Sequence, residues 1–140
     1  MLADVRATGC VLRYSSDVLS RAGHEWVVDA LGCDAETLRD LSRVRAMVER
    51  LVVELDLHAV EEPLWHVFGG EAGVTGLVLL AESHVAVHTF PELRLATVNL
   101  YCCRPRAPWP WSDRLAQMLG AREVVVRELA RGAEAKEVGR

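Results

Sequence analysis

The 140-residue chain has no uninterrupted run of about 18 apolar residues, so no segment reads as a membrane-spanning helix. Met1 to Gly23 also lacks a continuous apolar stretch ending at a small-residue cleavage site, and the expected compartment is the cytoplasm. Basic clusters interleaved with aromatics are missing and the formal net charge is −4, which excludes the electrostatic footprint of nucleic-acid binding. A cationic or neutral small ligand suits this surface better. The four cysteines, Cys10, Cys33, Cys102 and Cys103, contain no Cys-x-x-Cys pair, so neither a zinc knuckle nor a redox dithiol is expected. Adjacent Cys102 and Cys103 point to opposite faces if they lie on a strand, and a disulfide framework is not expected. His84 and His88 have no carboxylate or third histidine at an obvious ligand spacing, so no metal is assigned.

What the chain does have is the composition of a folded protein. Apolar residues make up 51% and charged ones 26%, and the length suits one core, because two would each be marginal. His24 to Leu31 reads as a strand. Gly32-Cys33-Asp34 is a turn, with Asp34 as N-cap of a long amphipathic helix whose apolar positions Leu38, Leu41, Val44, Met47, Val48, Leu51, Val52 and Leu55 recur at three- and four-residue steps. Further strands are expected from about Ala59 to Phe68, over Val74 to Ala81, His84 to Thr89, Ala96 to Cys102 and Glu123 to Leu129. A short helix capped by Ser112 should stop at Gly120. The pattern predicts an α/β fold: a two-layer sandwich, mostly antiparallel, with two helices on one face. Residues 1–22 read as an extension and 23–140 as a single domain. Such a sheet leaves an edge or a face for a partner subunit. Cys10, Cys33, His24, His58 and His66 are read as structural or surface residues, and Trp109 and Trp111 as packing the proline-rich loop onto the domain.

The unusual stretch is Ala81-Glu82-Ser83-His84-Val85-Ala86-Val87-His88-Thr89-Phe90-Pro91-Glu92, followed by Cys103 twenty residues after Ser83. This run of Glu-Ser-His, then His-Thr-aromatic-Pro-Glu, then Cys resembles the processing and active-site signature of the prokaryotic S-adenosylmethionine decarboxylases. Gly23-His24, Leu31-Gly32-Cys33-Asp34 and Gly73-Val74-Thr75-Gly76 are similar to that family's opening strand, first turn and turn before the cleavage strand.

The resemblance implies a self-processing proenzyme. Decarboxylating an amino acid requires an electron sink, which ordinary side chains do not supply. In the family the sink is a pyruvoyl group made from a chain serine, here Ser83, after cleavage between Glu82 and Ser83 into a β chain 1–82 and an α chain 83–140. The substrate amine then forms a Schiff base at position 83. By place in the motif His88 is the acid/base of processing, Thr75 the supporting hydroxyl, and Cys103 the acid that reprotonates the substrate carbon. Glu92 would accept hydrogen bonds from a ribose, and Phe68 would stack on adenine or the sulfonium. The resemblance also implies a homodimer of cleaved protomers and a role in supplying aminopropyl groups for polyamine synthesis.

Strict alternation along a strand puts Ser83 and His88 on opposite faces, so a bend, a bulge or release after cleavage is expected to bring them together. The chain departs from the family pattern at Leu93-Arg94-Leu95, where an aromatic and a glycine are usual. It departs again at Asn99, where an aspartate is common, and at Arg104, where glycine often follows the cysteine. An arginine near the pocket would repel a sulfonium or attract a carboxylate, which keeps decarboxylation of arginine or ornithine open. A non-catalytic regulatory partner of an active relative is the reading from another class, and intact Ser83, His88 and Cys103 argue against it.

Overall fold

The computed structural model describes residues 22–132, 134–136 and 138. The extension 1–22, Ala22 apart, and Cys10 with it, lie outside the described residues. Six strands form one sheet: β1 (His24–Leu31), β2 (Leu64–Val67), β3 (Val74–Leu80), β4 (Ser83–Phe90), β5 (Leu95–Cys102) and β6 (Glu123–Ala130). Their spatial order is β2-β3-β4-β5-β1-β6, and every neighbouring pair is antiparallel.

The two-residue period of the strands decides the layers. Trp26, Val28 and Ala30 of β1, Val74, Val78 and Leu80 of β3, Val85 and Val87 of β4, and Ala96, Val98, Leu100 and Cys102 of β5 are all buried on one face. Three helices supply the other half of that core: α1 (Ala35–Arg39), α2 (Leu41–Glu54) and α3 (Trp111–Leu119). The alternate residues leave the opposite face uncovered in the single chain. There Leu64 and Leu77 are cross-strand partners, and they stay exposed together with Leu79 and Leu129.

The helix expected to run unbroken from Asp34 is interrupted at Asp40. Asp34 caps α1, accepting from the Thr37 N–H at 3.1 Å, but Asp40 is extended and caps a second helix through Ser42 N–H at 2.9 Å. An aspartate two residues before a serine offers the backbone a side-chain acceptor that competes with continued helix. The apolar stripe survives the break, with Leu38, Val44, Met47, Val48 and Leu51 buried. The strand expected from Ala59 is shorter, keeping only an isolated Ala59–Leu80 bridge before β2. Pro63 has no N–H to give a ladder, and Glu61 and Glu62 are exposed. Ser112 is not a cap: α3 starts one residue earlier, after Pro110, with no side-chain cap bond, and ends at Gly120 with φ of 70°.

Glu54 at the end of α2 ties three elements together. It accepts from Trp109 Nε1 at 2.7 Å, Arg114 Nε at 2.9 Å and Arg50 Nε at 2.7 Å. Arg114, then Arg50, lower its pKa to about 2. A depressed carboxylate contributes stability that is present above its unfolded pKa and lost as pH falls through the folded one. The difference in melting temperature between the native chain and Glu54→Gln should therefore be full at pH 6 and close between about pH 4.5 and pH 2. A difference that stays constant over that range would contradict the assignment.

Candidate active site

Ser83 is the first residue of β4, placed directly after the two-residue connection Ala81-Glu82 that turns β3 back on itself. Its register partner on β5 is Cys102. Ser83 is half-buried on the helix side, the same side as its register partner Cys102. Burial pushes the Cys102 thiol up, which keeps it protonated and unreactive. Cys103 is exposed, on the side of the sheet away from Cys102.

The backbone at this point is held from two directions. Cys103 N–H donates to the carbonyl oxygen of Glu82 at 2.9 Å, and that carbonyl belongs to the peptide bond joining Glu82 to Ser83. Gly23, at φ 115°, lies so close to the same segment that a Cβ there would meet the Cys102 carbonyl oxygen at 2.3 Å. Only glycine permits this approach, and it fixes where the Cys103 amide sits.

Around Cys103 the uncovered sheet face carries a polar cluster that the sequence reading did not assemble. Tyr101 stacks on His84 at 5.6 Å, its hydroxyl donates to the Ala22 carbonyl, and burial pushes its phenol up, with Cys103 adding to the effect. Glu25 accepts from Asn99 Nδ2 at 2.7 Å and from Arg131 Nη1 at 2.5 Å. The Asn99 bond, followed by the Arg131 contacts, holds its carboxyl below the usual range. Arg131 in turn lies over the Tyr101 ring at 5.8 Å. From the sequence Asn99 is only a departure from a pattern, and its partner Glu25 lies 74 residues away.

A second group gathers at the other end of β4. His88 and Thr75 are register partners, joined through Thr75 Oγ1 and His88 Nδ1 at 3.0 Å. They line a cleft of about 300 Å³ with Phe68, Gly73, Phe90 and Glu92. Phe68 packs edge-on against His66 with ring centroids 4.5 Å apart, and Glu92 sits in the 3₁₀ turn Pro91–Leu93. Phe90 belongs to this cleft and was not singled out from the sequence.

The structure thus brings Glu82, Ser83 and Cys103 together and, separately, Thr75, His88, Phe68 and Glu92. It does not join the two groups within one chain. The β4–β5 register runs unbroken from Ser83–Cys102 to Phe90–Leu95, so the expected bend or bulge is not there. Five residues of extended chain set His88 roughly 17 Å from Ser83, on the opposite face. The departures from the family pattern also have partners. Arg104 Nε is 2.5 Å from Glu82 Oε2, and Arg94 takes a left-handed φ of 51° to close the 3₁₀ turn, its carbonyl accepting Cys33 N–H at 2.9 Å.

A family model described as S-adenosylmethionine decarboxylase matches residues 24–132. The S-adenosylmethionine decarboxylase proenzyme of Carboxydothermus hydrogenoformans is 32% identical over 120 residues, covering 85% of this chain and 93% of its own length. That of Caldicellulosiruptor saccharolyticus is 35% identical over 114 residues, covering 79% and 88%. The crystal structure of the adenosylmethionine decarboxylase from Aquifex aeolicus superposes with a TM-score of 0.69 at 27% identity, covering 86% of this chain and 99% of that one. The match extends from the start of β1 past the end of β6 and includes both polar groups on β4: the chain belongs to the S-adenosylmethionine decarboxylase family.

Proposed function

We propose that this chain cuts itself between Glu82 and Ser83 and, as a dimer of cleaved protomers, decarboxylates S-adenosylmethionine to provide an aminopropyl donor for polyamine synthesis. The observation that carries the reading is the Cys103 amide on the Glu82 carbonyl at 2.9 Å, beside the one hydroxyl that follows that carbonyl in the chain. When the Ser83 hydroxyl attacks, the carbonyl oxygen takes on negative charge, and a backbone N–H already in place stabilises it without reorganisation. Collapse breaks the C–N bond, leaving an ester between Glu82 and the Ser83 oxygen and a free amine at Ser83. Elimination then removes the Ser83 Cα proton and expels the Glu82 carboxylate, and hydrolysis of the remaining enamine releases ammonia and leaves a pyruvoyl end. The residues present suit that group, because a serine, a preceding carbonyl and a donor to that carbonyl are what its formation needs. Once formed, the group supplies the electron sink for loss of carbon dioxide.

His88 is assigned the proton transfers of processing, with Thr75 orienting its ring. Since these two stand roughly 17 Å from Ser83 in their own chain, we assign a second copy's pair, approaching over the uncovered face, to the Ser83 Cα proton removed in the elimination, the Ser83 hydroxyl itself lying on the helix side. A two-fold axis lying between two stacked sheets and crossing their strands sets the Ser83 end of one β4 over the His88 end of the other. The exposed Leu64, Leu77, Leu79 and Leu129 on the uncovered face support this reading, since a partner sheet would bury them. The partner's cleft would then offer Glu92 to ribose hydroxyls and Phe68 to adenine or the sulfonium. Arg104 is engaged by Glu82, which removes the main reason for expecting arginine or ornithine as substrate. The three free cysteines among the described residues suit a reducing compartment, and we place the protein in the cytoplasm.

Cys103, a free thiol exposed on the uncovered face, is assigned the return of a proton to the substrate carbon. Cys103→Ala keeps the amide that holds Glu82, so it should still cleave. Its release of carbon dioxide from S-adenosylmethionine should fall by about 10²–10⁴, the range for loss of a positioned acid. A cleaved Cys103→Ala protein with native turnover would remove that role.

A further inference from the structure

Residues 103 and 104 grip Glu82 at two places. The Cys103 amide holds its carbonyl at 2.9 Å, and the Arg104 guanidinium holds its side chain at 2.5 Å. On the helix side of the same turn a cleft of about 350 Å³ is lined by Asp56, His58, Glu82, Ser83, Arg104 and Arg106. As a surface ion pair this arrangement has little to offer stability, since the Arg104 side chain is 70% exposed and that of Glu82 42%. Its position relative to the cleavage chemistry is another matter. In the elimination step a base takes the Ser83 Cα proton, the Cα–Cβ double bond forms, and the bond from Cβ to the ester oxygen breaks. The electron pair departs on the main-chain carboxylate of Glu82. A full negative charge then stands where the uncharged chain contributed none, a few atoms from a guanidinium that is already docked.

Building on the proposed cleavage after Glu82, we propose that Arg104, with Arg106 beside it, forms an anion cradle for the newly made main-chain carboxylate of Glu82. The cradle stabilises the leaving group of the elimination and keeps the cut end docked. Because the charge develops only as the bond breaks, the cradle favours the transition state over the ground state.

The test compares native chain, Arg104→Ala and Arg104→Lys at one salt concentration, following loss of intact chain by mass under denaturing conditions. Aliquots are treated with hydroxylamine, which opens the ester to a Glu82 hydroxamate and leaves Ser83 with its own amine. Arg104→Ala should slow cleavage about tenfold, the scale of one charge-assisted hydrogen bond lost from a transition state. It should also raise the hydroxamate fraction while leaving the melting temperature unchanged, and Arg104→Lys should recover part of the rate. Cleavage of Arg104→Ala at the native rate would overturn the proposal, and so would slow cleavage without extra hydroxamate, which would place the defect in the acyl shift. If the native chain itself stays whole, the cleavage reading fails first and the cradle with it.

Discussion

Ser83→Ala should leave a single intact chain of 140 residues under denaturing conditions, however long it is incubated, and should reduce carbon dioxide release from S-adenosylmethionine to background. The reason is local. At the β3–β4 turn Glu82 is followed by a serine, and the carbonyl that this serine must attack is held by Cys103 N–H. Alanine keeps the backbone and the register but removes the nucleophile, so neither the ester nor the cofactor can form. The loss should not come from unfolding. Ser83 is half-buried at a strand end and has no place in the apolar core, so a change in melting temperature of more than a few degrees would signal a different cause. Two fragments from Ser83→Ala would show that another residue or a contaminating protease makes the cut.

His88→Ala expressed alone should process about 10²–10⁴ times more slowly than the native chain, because it lacks the assigned proton carrier. Co-expressed with Ser83→Ala, it should regain cleavage. In a mixed pair the His88→Ala chain keeps its own serine and borrows His88 from the partner, while the Ser83→Ala chain has no serine to cut. Fragments should therefore derive from the His88→Ala chain alone, in a share set by the proportion of mixed pairs. This follows from the unbroken β4 ladder, which carries His88 five residues beyond Ser83 on the other face. Absence of rescue in a demonstrated mixed dimer would mean that the two groups meet within one chain, by a rearrangement that breaks the β4–β5 register.

The layers of the fold were legible in the sequence because strands of period two and a helix stripe of period three to four leave different marks. Trp26, Val28 and Ala30, or Val85 and Val87, are inward residues that alternation alone picks out. The break at Asp40 was not legible, since the apolar stripe continues through it and only the Asp40–Ser42 capping bond divides the helix. Ser112 looked like a cap by residue type, yet Pro110 already starts the turn. The two site groups were found through motif resemblance, and alternation correctly forecast that Ser83 and His88 would face apart. The proposed pairing of two copies was out of reach, because such a contact leaves no periodicity in one chain. The Glu25–Asn99–Arg131 cluster depends on β5, β1 and β6 lying side by side, an order that local patterns do not specify.

The proposed function turns on decarboxylation of S-adenosylmethionine by the cleaved protein. The measurement that tests it most directly is release of labelled carbon dioxide by the purified, fully cleaved native protein, given carboxyl-labelled S-adenosylmethionine, arginine or ornithine in parallel reactions. Release is expected from S-adenosylmethionine, with background from the other two. Release from arginine or ornithine in place of S-adenosylmethionine, or from none of the three, would contradict it.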